Sequence, residues 1–358
     1  MVHLKTGVHS SSRPVRRLSV LLASAIALGL GSCAADTSTS TSESPQAETS
    51  PIETAELQVV TTFLPITQFT KAVAGDRAEV TQLLPTNVGP HDYQATPEDV
   101  QRLAQADVLV QNGLEMELFL EDLVDNAGNP DLQMVDSSEG IATIATEDVE
   151  GHAHENEDHG HDHANEAEHT DGAEHAEAGH QHGEFNPHVW LDPKRAIEQV
   201  ENIRDGLIAA DPEGEAVYTA NAATYIQQLK ELDSEITAML QPYAGKTFVA
   251  FHDFAPYFAE SYGLDAEFLV DVPDENPSPD DVKRISDEVK ESSLKTILTE
   301  PQAGEESLAA LAEDLNVTVS IFDPMETGDA EAIEPEYYLT VMRQNAQSLI
   351  AAFSGSPE

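Results

Sequence analysis

The sequence predicts an α/β protein in which strands alternate with helices and run mostly parallel to one another. Two parts of the chain, residues 57–210 and 244–358, both show this alternation, and a long helical stretch at residues 211–243 separates them. Three isolated histidines and one aspartate stand at turns in these two parts. These observations predict two α/β lobes bridged by one long helix, with a metal site in the cleft between the lobes.

The first half alternates short apolar runs with helical segments. Its predicted strands are residues 57–63, 78–84, 107–112 and 132–135. Its predicted helices are residues 66–74, a helix that starts at Thr96-Pro97, and residues 117–126. Thr96 supplies a capping side chain, Pro97 fits the first helical turn, and early acids follow, which is typical of a helix start.

The middle of the chain is helical, and the second half repeats the α/β alternation. Asp192-Pro193 begins a helix that runs to about Ala210, and a second helix runs from Pro212 to about Leu240. The predicted strands of the second half are residues 247–251, 264–270, 294–299 and 317–322. Its predicted helices are residues 279–291, 305–315 and 336–353.

Residues 1–33 are predicted to be a lipoprotein signal peptide. Basic residues precede an apolar run at 18–30 that is too short to span a bilayer, and the run ends at Leu30-Gly31-Ser32-Cys33. This ending resembles a bacterial lipoprotein box, so we expect Cys33 to carry the lipid anchor. The alternative is a plain secretory signal with an incidental cysteine. Residues 34–56 are rich in Ser, Thr, Glu and Pro and are predicted to be a disordered tether.

The formal net charge of −49 excludes nucleic acid as a partner, because a phosphate backbone would be repelled. Residues 147–184 form a low-complexity insert of His, acids, Ala and Gly, which cannot build a packed core. We refer to residues 152–182 as the His-rich tract. Its nine histidines are predicted to capture metal weakly, and the alternative is a solvated insert without a role. The nine are His152, His154, His159, His161, His163, His169, His175, His180 and His182.

Outside the tract and the leader only three histidines occur, His91, His188 and His252, and each stands in a turn. Asp323 follows the last predicted strand. Ligands of open α/β sheets bind at the carboxyl ends of the strands, so we expect these four side chains to meet there. Neutral imidazoles with one carboxylate suit Zn²⁺ in a four-coordinate site. The single cysteine excludes a thiolate zinc cluster.

Five short motifs together resemble the cluster A-I metal-binding proteins of ABC importers, and most closely their zinc-uptake (ZnuA-like) type. The motifs are residues 89–93 (Gly-Pro-His-Asp-Tyr), 186–193 (Asn-Pro-His-Val-Trp-Leu-Asp-Pro), 251–253 (Phe-His-Asp), 300–302 (Glu-Pro-Gln) and 323–324 (Asp-Pro). The resemblance covers roughly residues 57–353. It implies a transition-metal ion in the cleft, with His91, His188, His252 and Asp323 as ligands, and a membrane permease as partner. Manganese-binding relatives often carry Glu at the position of His252.

Several alternatives stay open at this point. Glu300 has three possible roles. We favour a carboxylate that orients a ligand histidine over a metal ligand or a helix cap. Mn²⁺ is the alternative cargo to Zn²⁺. We expect a high-affinity zinc-binding protein that delivers Zn²⁺ to an ABC importer. We expect this protein to be exported, anchored to a membrane by a lipid, and monomeric. A surface adhesin or zinc buffer is the alternative. A secreted zinc hydrolase is disfavoured because no His-Glu-x-x-His motif occurs, so we expect no enzyme activity.

Overall fold

The computed structural model describes residues 57–91, 93–146, 183–271, 277–292, 294–303 and 305–354. All of them fall within one compact unit, Thr54–Glu358. The predicted signal peptide, the tether, Cys33 and the His-rich tract lie outside the described residues.

A four-stranded parallel sheet forms the centre of the first half. The strands are β1 (Leu57–Thr61), β2 (Ala78–Gln82), β3 (Val108–Gln111) and β4 (Gln133–Asp136), in the spatial order β2-β1-β3-β4. The helices are α1 (Leu64–Ala74), α2 (Pro97–Leu103), α3 (Leu120–Ala127) and α4 (Pro193–Ala210). The continuous apolar runs at Val59-Val60 and in β3 are buried, as strands of a parallel sheet covered by helices require.

The second half contains two parallel strand pairs. Its strands are β5 (Thr247–His252), β6 (Asp265–Val270), β7 (Thr296–Thr299) and β8 (Thr318–Ile321). β5 pairs with β6 and β7 with β8, and β5 lies next to β7. Its helices are α6 (Pro256–Tyr262), α7 (Pro279–Glu291), α8 (Glu305–Leu315) and α9 (Pro335–Ser354).

One long helix, α5 (Glu215–Leu240), links the two halves and packs against both. It contacts α1 and α4 of the first half and α6 and α9 of the second. Its buried side chains recur at helical spacing: Tyr218, Ala222, Tyr225, Ile226, Leu229, Leu232, Ile236 and Leu240. The main hydrophobic core is therefore continuous from the first half through α5 into the second half.

The α/β class and the parallel strand pairing predicted from the sequence are confirmed. The predicted helix start at Thr96-Pro97 is observed, and Thr96 and Asp99 form a capping box there, with the Thr96 backbone N–H donating to Asp99 Oδ2 over 2.7 Å. The domain boundaries stay predictions. In the part of the chain that the structure describes, no helix has the length and apolar character needed to cross a membrane.

Candidate metal centre

Four side chains from separate parts of the chain converge on one point: His91, His188, His252 and Glu326. His91 stands in the loop after β2, and His188 shortly before α4. His252 is the last residue of β5, and Glu326 lies in the loop after β8. Each half of the fold thus contributes two residues. One potential ligand atom from each lies within 4.8 Å of the others, so the group can hold a metal ion.

The spacing of these atoms fits a four-coordinate ion. Glu326 Oε1 lies 3.5 Å from His91 Nε2 and 3.2 Å from His188 Nε2. It lies 3.4 Å from His252 Nε2, which is itself 3.4 Å from His188 Nε2. Bonds of about 2.0–2.1 Å from a tetrahedral zinc ion would place its ligand atoms about 3.3–3.4 Å apart. These four distances therefore match four of the six edges of such a tetrahedron.

Asn186 fixes the orientation of His188. Its Oδ1 accepts a hydrogen bond from the His188 backbone N–H at 3.0 Å and lies 3.0 Å from His188 Nδ1. An amide oxygen can only accept, so the proton of the neutral ring belongs on Nδ1 and the lone pair on Nε2. Trp190, two residues later, donates from Nε1 to the Pro324 carbonyl over 2.8 Å. Asn186 thus orients the His188 ring, and the opposite ring nitrogen, Nε2, lies 3.2 Å from Glu326 Oε1.

Glu300 performs the corresponding task for His252. Glu300 directly follows β7, and its Oε1 is hydrogen-bonded to His252 Nδ1 and accepts from the His252 backbone N–H at 3.3 Å. Gln302 Nε2 donates to the other oxygen of Glu300 over 2.5 Å. His252 and Glu300 are both fully buried. The carboxylate contacts the ring nitrogen opposite Nε2, which is where a group that orients a ligand histidine would lie.

The buried charges at this point favour a cation. Burial lowers the pKa of His188 to about 3, so its ring is neutral and its lone pair is available at neutral pH. Burial also acts to lower the pKa of His252, but the negative charges of Glu300 and Glu326 outweigh it and raise that pKa to about 10. Burial acts to raise the pKa of Glu326, yet its interactions with His252, His91 and His188 hold that pKa well below its usual range.

Asp323, predicted from the sequence as the carboxylate ligand, is absent from this group, and Glu326 stands in its place. Asp323 Oδ1 instead accepts from the Met325 backbone N–H at 2.7 Å. Its backbone N–H donates to Asn345 Oδ1 over 2.9 Å. Burial raises the pKa of Asp323 to about 6.

The backbone at Met325 explains why Glu326 takes this place. Met325 has a φ of 61°, the left-handed conformation that side chains other than Gly, Asn and Asp rarely adopt. The bond to Asp323 Oδ1 supports this turn, and the turn directs Glu326 to the three histidines. The sequence places a second carboxylate, Glu326, three residues after Asp323, but no sequence pattern predicts a left-handed conformation at Met325.

The described segments before and after the His-rich tract pair with each other beside this centre. Two segments flank it, and we call them the tract base: residues 142–146 on one side and 183–186 on the other. Asn186 N–H donates to the Ile144 carbonyl over 2.9 Å, and Thr146 N–H donates to the Glu184 carbonyl over 3.1 Å. Ala145 and Phe185 form an antiparallel bridge. The described chain ends at Thr146 on one side of the tract and resumes at Gly183, five residues before His188, on the other.

The family of the chain follows from a comparison with known proteins. A family model described as zinc-uptake complex component A, periplasmic (ZnuA) matches residues 59–352. The chain belongs to the ZnuA family. The resemblance read from the sequence motifs is thereby confirmed.

Two curated relatives of this ZnuA family member differ in the metal they are named for. The "Zinc-binding protein AdcA" of Streptococcus pyogenes serotype M3 is 35% identical over 296 residues, which are 82% of this chain and 55% of that protein. The "Manganese-binding lipoprotein MntA" of Halalkalibacterium halodurans is 28% identical over 301 residues, 83% of this chain and 89% of that protein. The chain spans about half the length of the streptococcal relative.

A solved structure of a related protein has the same fold. The crystal structure of Zn(II)-bound AdcA from Streptococcus pneumoniae superposes with a TM-score of 0.66 at 28% identity. The match covers 85% of this chain and 59% of that one. This chain thus shares its two-lobed α/β arrangement with the streptococcal AdcA structure.

Proposed function

We propose that the chain is the extracytoplasmic zinc-binding component of an ABC-type importer, which captures Zn²⁺ with high affinity and delivers it to the permease. In this proposal His91, His188, His252 and Glu326 hold the ion. The observation that carries the proposal is the spacing of 3.2–3.5 Å between Glu326 Oε1 and the three Nε2 atoms, which is typical of a four-coordinate shell.

Zinc rather than manganese is proposed as the cargo because of the donor set. Three imidazoles and one carboxylate suit Zn²⁺, whereas Mn²⁺ prefers oxygen-rich shells of higher coordination number. Nitrogen-containing sites also bind zinc more tightly than manganese in general. The name of the streptococcal relative supports zinc. The name of the Halalkalibacterium relative keeps manganese as the second candidate.

Metal competition tests the cargo. We expect the purified, chelator-stripped protein to bind one tight equivalent of Zn²⁺ at neutral pH, and an equal concentration of Mn²⁺ not to displace it. His188→Ala should lower the zinc affinity by orders of magnitude, since it removes a buried ligand. His175→Ala, the same change within the His-rich tract, is the matched control and should keep the tight equivalent. Displacement of zinc by manganese at comparable concentrations would make the chain a manganese carrier.

Delivery requires that the protein is exported and held at a membrane. We infer that Cys33 is the lipidated first residue of the mature protein and that residues 34–56 tether it. The word lipoprotein in the name of the Halalkalibacterium relative supports this inference. Cys33→Ala should move the protein from the membrane fraction into the soluble envelope fraction. A variant that stays with the membrane contradicts the lipid anchor.

The permease is proposed as the partner of a monomeric protein, and no catalytic role is proposed. Cells limited for zinc should need both this protein and the permease for growth. A growth defect that persists equally with and without the permease would instead favour the adhesin or zinc-buffer alternative. Hydrolysis of a peptide or ester by the zinc-loaded protein would favour a hydrolase.

A further inference from the structure

Tyr257, in α6 of the second half, makes two hydrogen bonds to the tract base. Its hydroxyl donates to the Asn186 carbonyl over 2.7 Å and accepts from the Ile144 backbone N–H at 3.1 Å. Its side chain is completely buried. Ile144 and Asn186 belong to the two opposite segments of the tract base, so one hydroxyl ties both segments to the second half of the fold.

Asn186 connects this contact to the metal centre. Its side-chain Oδ1 orients His188 through the backbone N–H and Nδ1, as described above. Its Nδ2 donates to the Asp253 carbonyl over 2.8 Å, directly after His252. The backbone of Asn186 is held by Tyr257, while its side chain contacts His188 and the residue that follows His252. A shift of Asn186 would therefore move His188 relative to His252.

Arg195, in the first turn of α4, holds the Tyr257 ring in place. Its guanidinium lies over the ring, 4.6 Å from the centroid. Arg195 Nε donates to the Ala142 carbonyl of the tract base over 2.9 Å, and Nη2 donates to Glu260 of α6 over 2.6 Å. Arg195 Nη1 donates to Asp192 Oδ2 over 2.8 Å. The ring is thus fixed between α4, α6 and the tract base.

We propose that Tyr257 is a positioning residue of the metal centre, whose hydroxyl locks the tract base against the second half and so fixes His188 for coordination. The inference rests on the proposed function, because it concerns the same centre. The physical reason is preorganisation: a ligand held by packing and hydrogen bonds coordinates with less loss of conformational entropy than one that must be ordered on binding. Without the hydroxyl, the Asn186 carbonyl and the Ile144 N–H lose their shared partner.

Tyr257→Phe tests the inference, because it removes the hydroxyl and keeps the ring under Arg195. We expect zinc release to a chelator to become about tenfold faster, the size of change that one or two lost net hydrogen bonds produce. The visible spectrum of the Co²⁺-substituted protein should also change, since it reports the coordination geometry. Tyr262→Phe is the matched control in the same helix. The Tyr262 hydroxyl contacts Asp233 Oδ1 at 3.3 Å, away from the tract base, so its loss should change neither readout.

Thermal unfolding separates positioning from general stability. A positioning role predicts that Tyr257→Phe lowers the midpoint of the zinc-loaded protein more than that of the metal-free protein. Equal losses in both forms, with wild-type zinc release and a wild-type Co²⁺ spectrum, would overturn the inference. Arg195→Lys keeps the charge and removes the planar group over the ring. It should change the same readouts in the same direction, and it replaces Tyr257→Phe if that variant does not fold.

The outcomes distinguish this inference from the proposed function. Failure of the wild-type protein to bind zinc tightly would overturn the proposed function. Tight binding by the wild type, together with unchanged release from Tyr257→Phe, would overturn only the role of Tyr257.

Discussion

Two isosteric substitutions distinguish a carboxylate that binds metal from one that holds a turn. Glu326→Gln keeps the shape of the side chain and removes its charge, next to three histidine nitrogens at 3.2–3.5 Å. Asp323→Asn also removes a charge, but it keeps the Oδ1 that accepts from Met325 N–H at 2.7 Å. We therefore expect Glu326→Gln to lose zinc affinity and Asp323→Asn to retain most of it.

The expected size of the difference follows from what each residue contacts. Mutations of groups that only orient ligands typically cost about 10–100-fold in metal affinity. Loss of a charged ligand should cost at least the upper end, about 100-fold, or about 2.7 kcal/mol. At a zinc concentration about 1,000 times the wild-type dissociation constant, zinc stabilises the wild type by about 4.1 kcal/mol. A 100-fold weaker variant would gain only about 1.4 kcal/mol under the same conditions.

Competitive titration against a fluorescent zinc chelator measures the affinities directly, and denaturation with and without zinc checks the stabilisation. Asp323→Ala is a useful third variant, because it removes the acceptor that supports the left-handed Met325. It should weaken binding although Asp323→Asn does not. The reasoning is refuted if Glu326→Gln binds zinc like the wild type while Asp323→Asn loses 100-fold. In that case Asp323 is the ligand, as the sequence motif suggested.

Three further predictions concern metal choice, the His-rich tract and pH. His252→Glu replaces a nitrogen ligand by a carboxylate and should narrow the preference for Zn²⁺ over Mn²⁺ in competition assays; an unchanged ratio would argue against His252 as a ligand. Deletion of residues 150–182 should remove several weak zinc equivalents and keep the tight one, which calorimetry can count. Burial raises the pKa of Glu117 to about 7, so the folded protein favours its protonated form, and the unfolding free energy should fall as pH rises from about 4.5 to 7. Urea denaturation of the metal-free protein should show Glu117→Gln gaining up to about 3 kcal/mol on the wild type between pH 5 and pH 8.

Much of the fold was predictable because its local signals agree with its tertiary packing. The apolar runs of β1 and β3 are buried on both faces, and such runs read as strands of a parallel sheet. The long amphipathic pattern of α5 predicted a helix between the halves, and the helix packs against both. Asp192-Pro193 was predicted to begin a helix, and Asp192 Oδ1 caps that helix by accepting from Lys194 N–H at 3.0 Å. In each case the residue type, its spacing and its burial point to the same structure.

The histidines of the site were predictable for a different reason. Histidine is scarce outside the tract, so its occurrence at three turns was informative on its own. The fourth position could not be predicted because it depends on the conformation of Met325. Asp323 stands two residues after the end of strand β8, a position at which a ligand was predicted. The left-handed Met325 then changes the direction of the backbone before Glu326. The local bond between Asp323 and Met325, the contact of Asp323 with Asn345 and the hydrogen bond from Trp190 to the Pro324 carbonyl all stabilise that turn.

Electrostatics gives a physical reason for placing Glu326 at the end of such a turn. Burying a carboxylate costs free energy unless a positive charge and hydrogen bonds compensate. Glu300 and Glu326 are both buried on either side of the His252 ring, and together they raise the pKa of that ring to about 10. The fold thus builds a pocket whose charge is balanced only when a cation is present between the carboxylates. A divalent ion at the four converging atoms supplies that charge more fully than one proton does, so metal binding and folding stability are coupled through the same buried groups.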